Sequence, residues 1–248
     1  MKINSATFAG SSTRVAGKPQ RKLPEFAFIG RSNVGKSSLI NMLCRNGRLA
    51  MTSSTPGKTK LVNHFLINDQ WYLVDLPGYG YAKLNQAGRD AIKEVINDYI
   101  LGSEELVMLF VLVDSRHDIT KIDQDFIREL GENGIPFGII FTKSDKSGPN
   151  VLKAQIEKDK EILSKEWDEM PPMFESSAQS GAGREEILDY IDTLNSLDTD
   201  NVEPMSHPFP YTNNFREDEV KPSEERELIL KNAPQQKDGC FKVPTTVE

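Results

Sequence analysis

The sequence predicts an α/β fold, a mixed and mainly parallel sheet of six to seven strands with helices on both faces. Three observations predict it. Between residues 25 and 195, apolar runs of strand length alternate with segments of helical pattern, and such alternation builds a parallel sheet covered by helices. A glycine-rich turn stands between the first run and the first helix. Two neighbouring runs, 61–67 and 70–75, are joined by Asn68-Asp69, a tight hairpin that makes one edge strand antiparallel.

In chain order, Ala6-Thr7-Phe8-Ala9 offers an extra strand ahead of the main sheet. Glu25-Phe26-Ala27-Phe28-Ile29 is a short apolar run that reads as a buried strand, and Ser38-Leu39-Ile40-Asn41-Met42-Leu43 gives helix 36–45 its character. After the hairpin come helix 86–101, strand 106–113, helix 121–133, strand 137–142, helix 150–166, strand 172–176 and helix 183–195. A ligand of such a sheet lies at the carboxyl ends of the strands. Past Leu197 the chain carries Pro204, Pro208, Pro210 and Pro222 with few apolar residues, and only 223–230 suggests a short helix, with Ser223 as its N-cap. The expected organisation is a basic arm at 1–22, one domain at 23–195 and an acidic extension at 196–248 that reads as largely disordered, with no assignable function.

The turn after the first strand is Gly30-Arg31-Ser32-Asn33-Val34-Gly35-Lys36-Ser37, followed by Ser38. It is a complete G-x-x-x-x-G-K-[ST] phosphate loop in the strand–loop–helix context such a loop needs. Its glycines let successive backbone N–H groups curl around a phosphate while the new helix points its positive end at the same anion. Lys36 is expected to neutralise the β- and γ-phosphates, and the Ser37 hydroxyl to ligate the Mg²⁺ that bridges them.

The base is specified downstream. The apolar run Gly138-Ile139-Ile140-Phe141 leads into Thr142-Lys143-Ser144-Asp145, a [NT]-K-x-D pattern. An aspartate there accepts from both the N1–H and the exocyclic amine of guanine, and a site built on such bonds rejects analogues lacking them by roughly 10⁴ to 10⁵. Lys143 is expected to lay its aliphatic stem across the base with its charge in solvent. Alone, T-K-x-D also fits a lysine-bearing surface turn. Its place after a strand and far from the phosphate loop makes it a base-recognition element. Ser176-Ser177-Ala178, within Phe174-Glu175-Ser176-Ser177-Ala178, is the short loop expected to support the guanine edge, with its register open by one residue.

Between these lies the switch chemistry. Strand 70–75 ends in Asp75-Leu76-Pro77-Gly78, a D-x-x-G pattern in which Asp75 would hold Mg²⁺ and the Gly78 N–H would meet the γ-phosphate. Upstream, Thr55-Pro56-Gly57-Lys58-Thr59 supplies a threonine where a second Mg²⁺ ligand is needed, and Thr59 is chosen over Thr55. Lys36, Thr59 and Gly78 are the expected catalytic groups; Ser37, Thr59 and Asp75 are the expected metal ligands.

Four elements in this order define a Ras-like P-loop GTPase fold. The wordings G-R-S-N-V-G-K-S-S-L-I-N, T-P-G-K-T, D-L-P-G-Y-G-Y-A, D-S-R-H-D-I-T and T-K-S-D-K narrow it further, and over roughly residues 20 to 195 the chain resembles the EngB (YihA/YsxC) family of bacterial GTPases, of the TRAFAC class. That resemblance implies a cytoplasmic, monomeric protein that binds GTP and GDP. It also implies a role in assembling the large ribosomal subunit and in normal cell division and septation. A division or septum-associated switch that does not touch the ribosome stays open beside it. After Gly78 comes Tyr79, where many GTPases have the glutamine that orients the attacking water, so slow unaided hydrolysis is expected. Asn33 has two open readings: in related GTPases an asparagine here helps hold a K⁺ ion near the phosphates, or it satisfies only its own loop.

Composition agrees with this class. There is no apolar run long enough to span a bilayer, so no membrane partner is expected, and Met1-Lys2-Ile3-Asn4 lacks the apolar core of a signal peptide. Two cysteines, Cys44 and Cys240, indicate no disulfide framework. Charge is uneven: residues 1–23 carry +5 without any acid, and residues 196–248 carry −5. The basic stretch could meet RNA phosphates or be a solvated terminus. Arg45, Arg48, Lys58 and Lys60 add positive charge near the Thr55–Thr59 loop. His117 reads as a turn residue, and Trp71 and Trp167 as packing aromatics.

Overall fold

The computed structural model describes residues 1–50, 61–80, 85–167, 169–197, 230, 235–237 and 240–241. Contacts divide the chain into two units, Met1–Asp198 and Thr199–Glu248. In the first, β1 (Ala6–Ser12), β2 (Glu25–Gly30), β3 (Val62–Ile67), β4 (Trp71–Asp75), β5 (Leu106–Asp114), β6 (Phe137–Thr142) and β7 (Met173–Glu175) form one sheet in the order β1-β3-β4-β2-β5-β6-β7. Strands from β4 to β7 are parallel, whereas β1–β3 and β3–β4 are antiparallel. The second unit shows a small antiparallel pair, β8 (Gln236–Lys237) with β9 (Cys240–Phe241).

Strand period explains the two cores. Along β2, Ala27 and Ile29 face one side, with Leu109, Val111 and Val113 of β5. Helices α2 (Gln86–Gly102), α3 (Lys121–Glu132) and α4 (Pro149–Leu163) cover that side through Ile92, Ile96, Ile127, Leu130, Leu152 and Ile156. Phe26 and Phe28 face the other side with Phe110 and Leu112, beneath Leu39, Ile40 and Leu43 of α1 (Lys36–Cys44) and Ile187, Leu188 and Ile191 of α5 (Arg184–Asn195). Alternate residues of a pleated strand must point to opposite faces, so a sheet buried on both needs apolar residues at nearly every position. All six residues of β2 are buried.

The hairpin between β3 and β4 places both Asn68 (φ 51°) and Asp69 (φ 57°) in the left-handed region, and Gln70 donates back to the Ile67 carbonyl at 2.9 Å. Helix α4 stops at Leu163, earlier than the expected 166, because the chain turns there and Trp167 crosses to α3. A Cβ on Gly131 would lie 2.1 Å from the Trp167 ring, so only glycine admits that contact.

The basic arm is folded into the first unit. Its strand β1 pairs with β3 as an edge, and four of its five Lys and Arg are matched by acids: Arg14 with Glu94 (2.5 Å), Lys18 with Glu25 (3.0 Å) and Glu105 (2.5 Å), Arg21 with Asp69 (3.6 Å), and Lys22 with Glu104 (3.4 Å). Charge already paired in this way has less to offer an RNA backbone than the count of +5 implies.

Candidate functional site

Four strands deliver the site at one end of the sheet. β2 runs into the phosphate loop, where Asn33 (φ 65°) and Gly35 (φ 106°) take the left-handed backbone that curls the loop back on itself. Gly35 is also the N-cap of α1 and provides no side-chain cap, so the first-turn N–H groups are left for an anion. The buried Ser32 hydroxyl finds no partner among the described residues, an orphan that a phosphate oxygen would satisfy.

β4 ends in Asp75 beside that loop, and the Lys36 ammonium donates to its carboxylate, both side chains being nearly buried. Ser37, in the first turn of α1, is half-buried. One hydroxyl and one carboxylate suit Mg²⁺, which takes few protein oxygens and completes its octahedron with phosphate and water. No cluster of three or more His, Cys, Asp or Glu able to hold a metal occurs among the described residues.

β6 ends in Thr142, whose buried hydroxyl donates to the Val34 carbonyl at 2.7 Å and so ties base loop to phosphate loop. Lys143 departs from the expectation that its charge stays in solvent. Its ammonium donates to the Asn33 carbonyl at 2.7 Å and to Asp114 at 2.8 Å, while its stem passes over Gly35. Asp114, the last residue of β5, was not singled out in the sequence. Burial works against its charge, but bonds from Arg116 and Lys143 outweigh that and hold it well below the usual carboxylate range. A strand-end acid at the site edge was the available signal. The Asp145 carboxyl is also lowered, by the Ser177 hydroxyl at 2.5 Å and then by Lys146 at 3.0 Å. Ser144 N–H meets the Ser176 carbonyl at 3.1 Å, which brings the T-K-S-D and S-S-A loops into one wall with Ala178 at its rim. A cleft lined by Gly35, Ser38, Thr142, Lys143, Asp145 and Ser176 runs between phosphate loop and base loop.

Gly57, Lys58 and Thr59 lie outside the described residues, as do Lys60 and the expected helix at 223–230 except Leu230. His117 is exposed and occupies a turn, its N–H meeting the Asp114 carbonyl at 3.3 Å. Leu76, Pro77 and Gly78 follow Asp75 directly, and Leu76 N–H bonds the Phe28 carbonyl at 3.0 Å.

A phosphate loop, a strand-end aspartate at its lysine and a guanine-type loop on one sheet edge define a GTP-binding GTPase. Residues 25–143 match the family model described as 50S ribosome-binding GTPase. A probable GTP-binding protein EngB of Phocaeicola vulgatus is 57% identical over 195 residues, covering 79% of this chain and 98% of the relative. One from Bacteroides thetaiotaomicron is 59% identical over 194 residues, covering 78% and 96%. The chain belongs to the EngB family of GTP-binding proteins. Among solved structures, a probable GTP-binding protein engB is similar at 25% identity and TM-score 0.51, covering 69% of this chain and 98% of that one. Era in complex with MgGDPNP and 16S ribosomal RNA shares the fold, at 22% identity and TM-score 0.57 over 76% of this chain and 61% of that one. About a fifth of the chain has no counterpart in the two EngB relatives. Residues 184–243 match a second family model, described as Glu-tRNAGln amidotransferase C subunit. The extension to which composition assigned no function therefore has a sequence counterpart of its own.

Proposed function

We propose that this GTPase is a switch in assembly of the large ribosomal subunit, needed for normal cell division and septation, and that it acts as a monomer in the cytoplasm. The observation that carries this reading is the site geometry of residues 30–38, 75–78 and 142–145 on a chain whose residues 25–143 match a 50S ribosome-binding GTPase model. The phosphates lie in the loop from Gly30 to Ser38, with Lys36 on the β- and γ-oxygens; Asp145 reads guanine, and Ser176, Ser177 and Ala178 back its edge. Ser37 and Asp75, with Thr59 as the expected third ligand, would hold Mg²⁺, which would supply charge compensation to the phosphates. Tyr79 supplies no amide for the attacking water, so unaided turnover is slow, and Asn33 would help hold a K⁺ ion near the phosphates. Equal hydrolysis in K⁺ and Na⁺ buffers removes that ion from the reading. The main test is co-sedimentation with ribosomal subunits in a non-hydrolysable GTP analogue and in GDP, with Lys36→Ala as control. Binding to the large subunit only with the analogue supports the assembly switch. Absence of binding in both states moves the function to a division-associated protein partner.

The match over 184–243 favours a second role for the extension: docking onto the remaining subunits of a tRNA-dependent amidotransferase, the enzyme class that amidates glutamate carried on tRNAGln. Support comes from the match running past the end of α5 through an acidic segment, on a chain of which about a fifth has no counterpart in the EngB relatives. The test is affinity of those purified subunits for the full chain and for a chain ending at Leu197, with conversion of Glu-tRNAGln as second readout. Equal behaviour of the two chains rejects this role.

A further inference from the structure

Asp123 is the third residue of α3 and is 1% exposed. It closes the helix's capping box, accepting from the Thr120 N–H at 3.2 Å and the Thr120 hydroxyl at 2.6 Å. That accounts for one of its oxygens. The other accepts from the Tyr79 hydroxyl at 2.8 Å, and the Arg31 guanidinium approaches the carboxylate at 3.2 Å. Neither partner belongs to α3: Arg31 lies in the phosphate loop, and Tyr79 directly follows the D-L-P-G segment.

These two residues are also joined through the backbone. Arg31 and Tyr79 form a parallel bridge, and the Tyr79 N–H meets the Gly30 carbonyl at 3.3 Å. The Tyr79 ring stacks on Phe126 of α3, with centroids 4.5 Å apart, so the phenol points into the domain. A helix cap needs none of this. A buried carboxylate does need enough donors to offset its lost hydration, and here two of them come from the loops on either side of the γ-phosphate position.

We propose that Asp123 is a positioning residue of the GTP site: through Tyr79 and Arg31 it clamps the D-L-P-G segment to the phosphate loop, presetting the Gly78 N–H for the γ-phosphate. The clamp rests on the assignment of Gly78 to that phosphate. It discriminates nucleotides because GDP offers Gly78 no oxygen, whereas GTP gains a bond only if the segment is held in place. Rigidity arranged before binding lowers the ordering cost of the bound state.

The test uses the full chain with Mg²⁺ and measures affinity for GDP and for a non-hydrolysable GTP analogue in wild type, Tyr79→Phe, Asp123→Asn and Gly78→Pro. Tyr79→Phe removes one hydroxyl and keeps the stacked ring. It should leave GDP affinity within about two-fold, while the analogue weakens roughly ten-fold, the size of one hydrogen bond to a charged group. Asp123→Asn should shift the same ratio in the same direction. If GDP and analogue weaken by one common factor, or neither changes, Asp123 serves only the helix cap. If Gly78→Pro, which removes that N–H, also leaves the ratio unchanged, the γ-phosphate assignment fails and the clamp with it. A ratio moved by Gly78→Pro but not by Tyr79→Phe rejects the clamp alone.

Discussion

The G domain and the acidic extension both match family models, over 25–143 and 184–243, yet only the first can be read from its residues. Phosphate and guanine recognition demand particular groups at fixed spacing: glycines at positive φ, a lysine, a strand-end aspartate, a carboxylate for the base. A segment that docks onto another subunit needs only a surface complementary to its partner, which leaves no local pattern of residue types. Its composition then looks like that of any charged, proline-bearing tail. Helix α5 sharpens the contrast, because it lies in the second match while its Ile187, Leu188 and Ile191 are buried in the G domain's core. Its apolar face is therefore already used by the G domain, and only its exposed face, with Glu185, Glu186, Asp189 and Asp192, is open to a partner.

The largest separation of the two regions should come from Lys36→Ala. Truncating one partner of a buried, hydrogen-bonded charge pair costs about 3–5 kcal/mol of binding, so GTP affinity should fall about 10²- to 5 × 10³-fold by titration calorimetry. Affinity for amidotransferase subunits should not move. A parallel loss in both would show that the extension answers to the nucleotide site.

Asp145→Asn should act next. Guanine preference over adenine should drop about 10²-fold, since the site loses its double acceptor, while phosphate contacts persist. Competition between GTP and ATP measures it, and an unchanged preference would transfer base recognition to another group. Asp145 was legible because guanine chemistry names its partner. Asp114 and Asp123 were not, since their importance comes from what folding brings beside them: Lys143 for one, Tyr79 and Arg31 for the other. The strand segments and their alternation with helices were legible because burial on both sheet faces forces continuous apolar runs; the order of the strands in the sheet and the early end of α4 at Leu163 were not. The pairing of the arm's cations was not, because Glu94, Glu104 and Glu105 become its neighbours only after folding.

A smaller effect concerns the first unit's stability. His64 on β3 is fully buried, neither ring nitrogen has a hydrogen-bond partner among the described residues, and burial pushes its pKa down to about 4. The groups around it are Glu25 at 3.9 Å, Lys18, and the rings of Tyr72 and Tyr99. With the folded value below the unfolded one, the unfolded chain takes the proton first. Stability is then full above pH 6.5 and is lost as pH falls toward 4. At pH 4.5 the loss should be about 2–3 kcal/mol, from 1.36 kcal/mol per unit. Carboxylates that the fold holds below their usual range, Asp114 and Glu105 among them, lose part of their contribution over the same interval, so the histidine's share is the part of the difference between urea melts at pH 7.5 and 4.5 that His64→Gln removes. A difference that His64→Gln leaves whole would assign it to the carboxylates.

The smallest expected effect decides whether the two regions are independent. All the described phosphate- and base-loop residues lie in the unit Met1–Asp198, and the EngB relatives match this chain over about 195 residues. A chain ending at Leu197 keeps α5 whole and with it the apolar cover of β2 and β5. Its GTP and GDP affinities should therefore stay within about two-fold of the full chain, the scatter expected of changes away from a site, while amidotransferase binding disappears. A larger change in GTP affinity alone would mean that the extension reports on nucleotide state, and the two matches would then describe one coupled device rather than two modules on one chain.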